Sequence, residues 1–565
     1  MKGWTNAIIG GGEDTSVDIT VTTNPSSYSG SVYAVTGGKT YTGTISSGTG
    51  TVTVLPGYDY TVYCSSAYNK PTVHVDASGV SVTLISCPIK VSVTDTNKTN
   101  SIAYRVVNTA DSSEYYTGYV NASSGTGTAT VYVAKVGTYK VSITAPTGGS
   151  ADDVTVTTVA GSTVTASITV SYDFKFTMNY SSTNFVSAPD SCLSYADDCA
   201  GYTPVFNDYT VFGSWGMDSE ENALLDKCFY ATFTDDGVLH EKLDPYDLES
   251  YIAVWDDSGK EWVEEYGTSS VYSENTMFCI PTLYVSTTGT SITISNTDKY
   301  GGIAFGHTIN NRVYEYMAIG VYPCYYDNSA GFKLKSMSGK ASSTSITHAN
   351  MVTYCRNNDV QNGYAMLCNW YQRQLYRIIV IFAMRHFNSQ TRIGYGGQTR
   401  GAKETGLMNS AGPFAGSSST TVSDTNGVKA LIENPWGHNW EFIGDVKYIS
   451  NGVYAFQTST QSPSSTSGGL CISASPYSLK SVGFSSGAIS TEPETWGWGT
   501  SSGGSATTGG CDYQGFLSSS NVYAYTGAAS DNVSTGYAGL SYLGSNSGNA
   551  SAYGEARLAF VFDMN

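Results

Sequence analysis

Reactive side chains are sparse in this 565-residue chain, which carries six His, eleven Cys, 46 Asp plus Glu and 28 Lys plus Arg. The histidines (His74, His240, His307, His348, His386 and His438) lie far apart, and none forms an HExxH or comparable pair, the spacing that sets two ligands on one helix face. His386 follows a long apolar run and reads as a satisfied helix-end residue. Three acid pairs stand out: Asp197/Asp198, Asp235/Asp236 and Asp256/Asp257. A glycosidase needs two carboxylates across a sugar cleft, whereas neighbouring acids in a turn are ordinarily solvated. The Asp197/Asp198 stretch also offers hard oxygen ligands to calcium, but without EF-hand spacing. The cysteines, running from Cys64 to Cys511 with no CxxC, read as reduced thiols, with a Cys192–Cys199 bridge as the alternative. GYGGQTRG at 394–401 lacks the GK[ST] of a phosphate loop. No catalytic residue, metal or cofactor is assigned, calcium remaining the minor alternative.

Binding chemistry is better represented. Residues 496–553 are nearly free of Lys, Arg and Glu but rich in Tyr, Asn, Ser and Gly. Tyr presents a large amphipathic face at low entropic cost, and Ser, Gly and Asn add adaptable hydrogen bonds, as in antibody loops. The expected contacts are Trp496, Trp498, Tyr513, Phe516, Asn521, Tyr523, Tyr525, Asp531, Asn532, Tyr537, Tyr542, Asn546 and Asn549. Aromatic faces with amide partners suit carbohydrate. The bland reading is a low-complexity surface, against which stands the apolar LAFVF run that follows at 558–562.

The elements that would position these residues are mostly strands. A net charge of -18 leaves no basic stripe for nucleic acid. The N-terminal stretch MKGWTNAIIGGGEDTSV lacks a signal-peptide apolar region, and IIVIFAM at 378–384 is too short to span a bilayer. The length suggests three to five domains. YTGTISSGTGTVTVLPGYDYTVYC at 41–64 matches YTGYVNASSGTGTATVYVAKVGTYKVSI at 116–143, with the shared SSGTGT 77 residues apart. Period-two alternation between Gly-rich turns predicts tandem immunoglobulin-like β-sandwiches over 15–90 and 91–171, after an N-terminal segment 1–14. Residues 172–340 read as a β-rich intermediate region leading into 341–565, an α+β domain. In the latter, Thr347 caps a short helix, and WYQRQLYRIIVIFAMRHF at 370–387 forms the strongest helix, with Gln372, Arg373, Arg377 and Arg385 on a wet face.

An ordered set of landmarks then carries a resemblance: CLSYADDCAGYTPV (192–205), FGSWG (212–216), FCIPTLYV (278–285), YMAIGVY (316–322), LKSMSGK (334–340), NSQ (388–390), NPWGHNWEFIGDV (434–446) and GEARLAF (554–560). Together they resemble phage and prophage tail proteins of gut bacteria with a C-terminal C-type lectin-like domain. WGHNWEF is similar to the GNVWEW motif of formylglycine-generating enzymes and of variable proteins diversified by retroelements, with Asn439 in place of Val and Phe442 in place of the second Trp. The resemblance implies structural roles for Trp436, Gly437, Trp440 and Glu441, the last accepting from nearby backbone. It also implies a closing strand in which Gly554 supplies a permissive backbone, Arg557 holds carbonyls of the preceding loop, and Leu558, Phe560 and Phe562 bury one face. Cys471 and Cys511 lack the surroundings of the enzyme's redox thiols. The function implied is adhesion from a virion tail tip to a bacterial surface glycan or protein, through a surface open to hypervariation. Homotrimerisation and other phage tail proteins as partners are implied too, with no nucleic acid and no membrane insertion. The alternatives are a glycan-degrading or formylglycine-generating-like enzyme and a purely structural tail component.

Overall fold

Strings of Val, Thr and Tyr broken by Gly-rich turns fold as strands between Val17 and Tyr172. The computed structural model describes residues 16–180, 193–201, 228–416, 427–449 and 452–458, apart from 25, 27, 65–68, 96–97, 147–148, 330, 388, 395 and 397–400. Beyond these it describes 470–471, 483–484, 492–498, 513–514, 523–526, 540, 543–546 and 553–564. The protein is mainly β and divides into two units, Met1–Asp173 and Phe174–Asn565.

The first unit holds the repeat. Its first module comprises β1 (Val17–Asn24), β2 (Gly30–Thr36), β3 (Lys39–Ser46), β4 (Thr49–Val54), β5 (Tyr58–Cys64), β6 (Thr72–Val75) and β7 (Val80–Ile85), hydrogen-bonded in the order β6-β5-β2-β3-β4-β1-β7. Alternate residues such as Ile19, Val21, Val52, Val54, Tyr60 and Val62 form its core. The second module comprises β8 (Cys87–Asp95), β9 (Ile102–Asn108), β10 (Tyr115–Val120), β11 (Thr126–Val133), β12 (Thr138–Ile143), β13 (Gly149–Ser150), β14 (Val154–Thr157) and β15 (Val164–Tyr172). Here two sheets, β10-β9-β12-β14 and β11-β8-β15-β13, enclose one aliphatic core. The second module thus begins at Cys87, a few residues before the expected boundary, because β8 crosses it.

The modules share their pairings but differ at one turn. In the first, Ser47 (φ 48°) and Gly48 (φ 83°) make a two-residue hairpin that zips Ser46 to Thr49, Ile45 to Gly50 and Thr44 to Thr51. Positive φ at both central residues is the primed turn that matches strand twist. The second module carries Asn121 and Ala122 in addition. Asn121 Oδ1 accepts from the Ser123 amide at 3.0 Å, the Ala122 amide donates to Thr99 O at 3.1 Å, and among the described residues β10 and β11 form no ladder. Two inserted residues separate one continuous sheet into two.

The second unit is built on an eight-stranded antiparallel sheet in the order Glu261–Thr268, Asp247–Asp256, Leu239–Asp244, Phe229–Phe233, Asn275–Pro281, Tyr316–Gly320, Leu558–Phe562, Gly363–Leu367. It draws strands from both 172–340 and 341–565, which lie in one compact unit. One face packs Phe233, Met277, Ala318, Leu558, Phe560 and Phe562 with Met351 and Cys355 of the short helix His348–Arg356. The other packs Tyr230, Phe278, Ile319, Ala559 and Val561 with the long helix Trp370–Met384. A strand covered on both faces reads as a continuous apolar run. Hence all five residues of Leu558–Phe562 are buried, where burial of one face was expected.

Thr347 caps the short helix as expected, its Oγ1 accepting from the Asn350 amide at 3.2 Å. Asn369 and Gln372 form a reciprocal capping box on the long helix, which has no wet face. Gln372, Arg373 and Arg377 are buried, and Arg385 alone of the expected polar set is partly exposed. The reason is that other segments bring carbonyls to them: Arg377 donates to Trp496 O at 2.8 Å and Gly497 O at 2.9 Å, and Arg373 to Pro435 O at 2.6 Å.

Candidate binding surface and its buried ionic support

The Tyr/Asn-rich region contributes strands to a second sheet, in the order Leu470–Cys471, Gly452–Ala455, Trp440–Ile449, Tyr523–Thr526, Leu543–Asn546, Tyr513–Gln514, Gly483–Phe484. Tyr523 faces Asn546 across the ladder, and Tyr525 faces both Gly544 and Phe442. Tyr513, Tyr523, Tyr525 and Asn546 therefore lie on strands of one sheet. Phe516, Asn521, Asp531, Asn532, Tyr537, Tyr542 and Asn549 lie outside the described residues.

Trp496 and Trp498 do not belong to a surface. Both are buried. Trp496 packs on Phe387 (ring centroids 5.4 Å) and Tyr180 (6.3 Å), and Trp498 on Trp370 (5.1 Å). The Arg377 guanidinium lies 4.4 Å from the Trp498 ring, whose Nε1 donates to Gln374 Oε1 at 2.6 Å. The Gly/Ser-rich text around them concealed this. For Trp498 the indole N–H finds a buried acceptor, Gln374 of the long helix, whereas Trp496 is held inside by its ring contacts.

Beneath the sheet sits a cluster of buried charge. Glu441, next to Thr526 in the ladder, is clasped by two guanidiniums: Arg557 donates Nε at 2.6 Å and also Nη2, and Arg373 Nη1 lies at 3.1 Å. Arg557 also donates to the carbonyls of Gly320 (2.9 Å), Val321 (3.0 Å), Glu433 (2.8 Å) and Asn434 (3.4 Å). Both expected roles are thereby revised. Glu441 binds guanidiniums where backbone was expected, and Arg557 holds segments far back in the chain, not the loop before it. The planar fork of Arg suits this work, since all its donors find acceptors at once.

The rest of the motif packs around this pair. Trp436 is fully buried and donates Nε1 to Gly394 O at 3.0 Å, and Gly437 turns with φ 78°. Trp440 is partly buried against Tyr553 (6.2 Å). Asn439, standing where the related motif has Val, donates to Glu555 Oε2 and Gly401 O, both at 2.9 Å. Gly554 has no positive φ; a Cβ there would come within 2.6 Å of Phe442 Cε2, so close packing and not backbone freedom selects glycine. Leu558 is buried in the eight-stranded sheet.

Burial sets the protonation of the neighbouring groups. Desolvation pushes Glu433 up to about 7, opposed by the Met408 and Gly406 amides and by Lys429. The same cause pushes Asp445 up to about 7, although it accepts the Trp370 amide at 2.8 Å, at the positive end of the long helix. Lys429 is brought down to about 8 by burial. Glu555 moves the other way, since His438 and Asn439 outweigh its desolvation and favour the carboxylate. These groups are enclosed by the core.

The acid pairs lie in turns with cations or hydroxyls on them. Asp197 faces Lys175 Nζ at 3.1 Å and Thr177 Oγ1 at 2.5 Å, so the place considered for calcium holds an ammonium. Asp235 pairs with Lys335, and Asp257 with Lys260, each at 2.7 Å. Eight cysteines, among them Cys199, are free thiols, all buried, and Cys192 lies outside the described residues. His386 is buried just beyond the long helix. Sequence reading missed one constellation altogether: His240, Glu241 and Glu274, which converge within 4.8 Å. No helix among the described residues is long and apolar enough to cross a membrane.

No family model and no curated protein matches this chain. Solved structures with a local likeness include the Bacillus anthracis TIE protein, at 11% identity over 29% of this chain and 39% of that one, with a TM-score of 0.13. A streptococcal ancillary pilin matches at 11% identity over 49% of this chain and 95% of its own, and the Streptococcus agalactiae minor pilin GBS52 at 11% over 27% and 95%, each with a TM-score of 0.15. Likeness at this level carries no weight for fold or function.

Proposed function

We propose that this protein is a phage tail receptor-binding protein, attaching a virion to a bacterial surface glycan or protein. In this reading the two repeated modules are immunoglobulin-like spacers, and the second unit ends in a C-type lectin-like head that acts by binding and not by catalysis. The observation that supports it best is the placement of Tyr513, Tyr523, Tyr525 and Asn546 on short strands of one sheet. That sheet hangs from the Trp440–Ile449 strand, which the Arg557–Glu441–Arg373 cluster fixes from within. A rigid support under Tyr/Asn/Ser/Gly-rich connections lets the displayed residues change without loss of the fold, the arrangement a hypervariable surface needs. Assembly as a trimer with other tail proteins would multiply weak contacts into avidity.

Adsorption of the purified chain to gut-bacterial cell envelopes tests the reading. Tyr523, Tyr525 and Tyr542 replaced together by Ala should abolish adsorption while the unfolding transition stays in place. Periodate treatment of the envelopes separates glycan from protein receptors. Adsorption unchanged by the triple substitution would leave a structural tail component as the better description. New reducing ends released from envelope polysaccharide would refute pure adhesion.

A further inference from the structure

We propose that His240, Glu241 and Glu274 form a binding site for a divalent transition-metal ion of the zinc type. His240 Nδ1 and one oxygen from each carboxylate lie within 4.8 Å of one another. Adjacent residues of a regular strand point to opposite faces, so His240 and Glu241 meet only because the strand is irregular there. Leu239 pairs with Phe233 and Lys242 with Ala231, which places both His240 and Glu241 opposite Thr232. This is a β-bulge, a device that re-aims side chains and is over-represented next to active sites.

Charge favours a cation at this corner. Glu241 is buried, and its oxygens receive the Ser270 amide at 2.7 Å, Ser270 Oγ at 3.1 Å and Thr232 Oγ1 at 3.2 Å, all neutral donors. Glu274 meets His240 Nδ1 at 2.9 Å. Among the described residues, His240 is the one ion-pair partner of either carboxylate, so two acids face a single imidazole.

An imidazole nitrogen with two carboxylate oxygens is a ligand set for zinc and its neighbours, whereas calcium and magnesium take oxygen alone. Bonds of about 2.1 Å require donors about 3.4 Å apart, so the short His240–Glu274 edge opens and the longer edges close by up to about 1.4 Å. The His240 side chain is 37% exposed, which leaves an approach and a further coordination position to solvent. The ion would tie the Leu239–Asp244 strand to the turn at 269–274, whose Val271 carbonyl accepts the Ser338 amide at 2.9 Å.

Calorimetric titration of the EDTA-treated full chain with zinc chloride tests this. One saturable site per chain is expected, weakened roughly tenfold or more by His240→Gln and by Glu274→Gln, and unaffected by His74→Gln at the other exposed histidine. Tryptophan fluorescence checks that each variant is folded. Absence of saturable binding would overturn the proposal. So would a site that survives both substitutions in folded protein or is lost with His74→Gln.

Discussion

The two units solve the same problem, holding Tyr- and Gly-rich strands together, by opposite means. In the first, Asp95 is the one buried Asp, Glu, Lys or Arg among the described residues, and aliphatic side chains fill both module cores. In the second, Glu241, Lys335, Arg373, Arg377, Lys429, Glu433, Glu441, Asp445, Glu555 and Arg557 are all buried. Regular ladders satisfy their own backbone, so these modules need only apolar filling. Where strands are short and connections long, guanidiniums donate to the carbonyls of Gly320, Val321, Pro435, Glu433, Trp496 and Gly497. Buried charge here is the consequence of irregular backbone, and it gives positional specificity more than stability.

That contrast can be broken most severely at Arg557. Replacing it by Leu removes one of the two guanidiniums on Glu441 and a donor to four carbonyls, a loss of about 3–5 kcal/mol, and the second unit should unfold more easily while the first does not. Tryptophan fluorescence separates them, because only Trp4 of the nine tryptophans precedes residue 174; an unshifted transition would contradict the clasp. Trp496→Ala should cost a similar about 3–5 kcal/mol as a core deletion, whereas a surface contact would leave the unfolding midpoint in place.

A pH series comes next in size. Glu433 and Asp445 are both raised to about 7, so the folded chain retains protons that the unfolded chain releases between the ordinary carboxylate range and about 7. Stability of the second unit should therefore fall as pH rises through that window, by on the order of a few kcal/mol, and level off above it. Carboxylates held low, such as Asp327 at about 2, act below the window. Urea unfolding at about pH 5 and about pH 7.5 measures the difference, and Glu433→Gln should flatten part of it.

The smallest effects belong to the first unit, where the matched glycines sharpen the contrast between modules. A Cβ at Gly48 would lie 2.2 Å from Ser26 O, whereas one at Gly125 meets nothing within 4 Å. Both have positive φ. Gly48→Ala should cost about 1–3 kcal/mol and Gly125→Ala about 1 kcal/mol, read from far-ultraviolet circular dichroism on heating.

The repeat was legible because a two-residue period and an SSGTGT echo are local signals. So was the cap of the short helix, since Thr347 bonds within three residues of itself; the Asn369 cap of the long helix is equally local but was not read. What sequence reading misplaced was decided at long range. Nothing near Arg373 or Arg377 announces that Pro435, Trp496 and Gly497 will cover them. The same holds for Trp496 and Trp498, whose flanks read as surface, and for His240 and Glu274, which a bulge brings together. The Tyr/Asn-rich region was recognisable by composition, and four of its named residues lie on strands of one sheet.

The position of Leu558–Phe562 has a bearing on synthesis. Its strand fills the interior of the eight-stranded sheet, between Tyr316–Gly320 and Gly363–Leu367, and Arg557 reaches a carbonyl 237 residues earlier in the chain. While the ribosome is still making residues before 557, the sheet has a vacant lane and Glu441 has lost a guanidinium. The first unit, whose strands pair within each module, can fold as it emerges. The second must wait, and during that wait its exposed sheet edges are what a chaperone would have to shield.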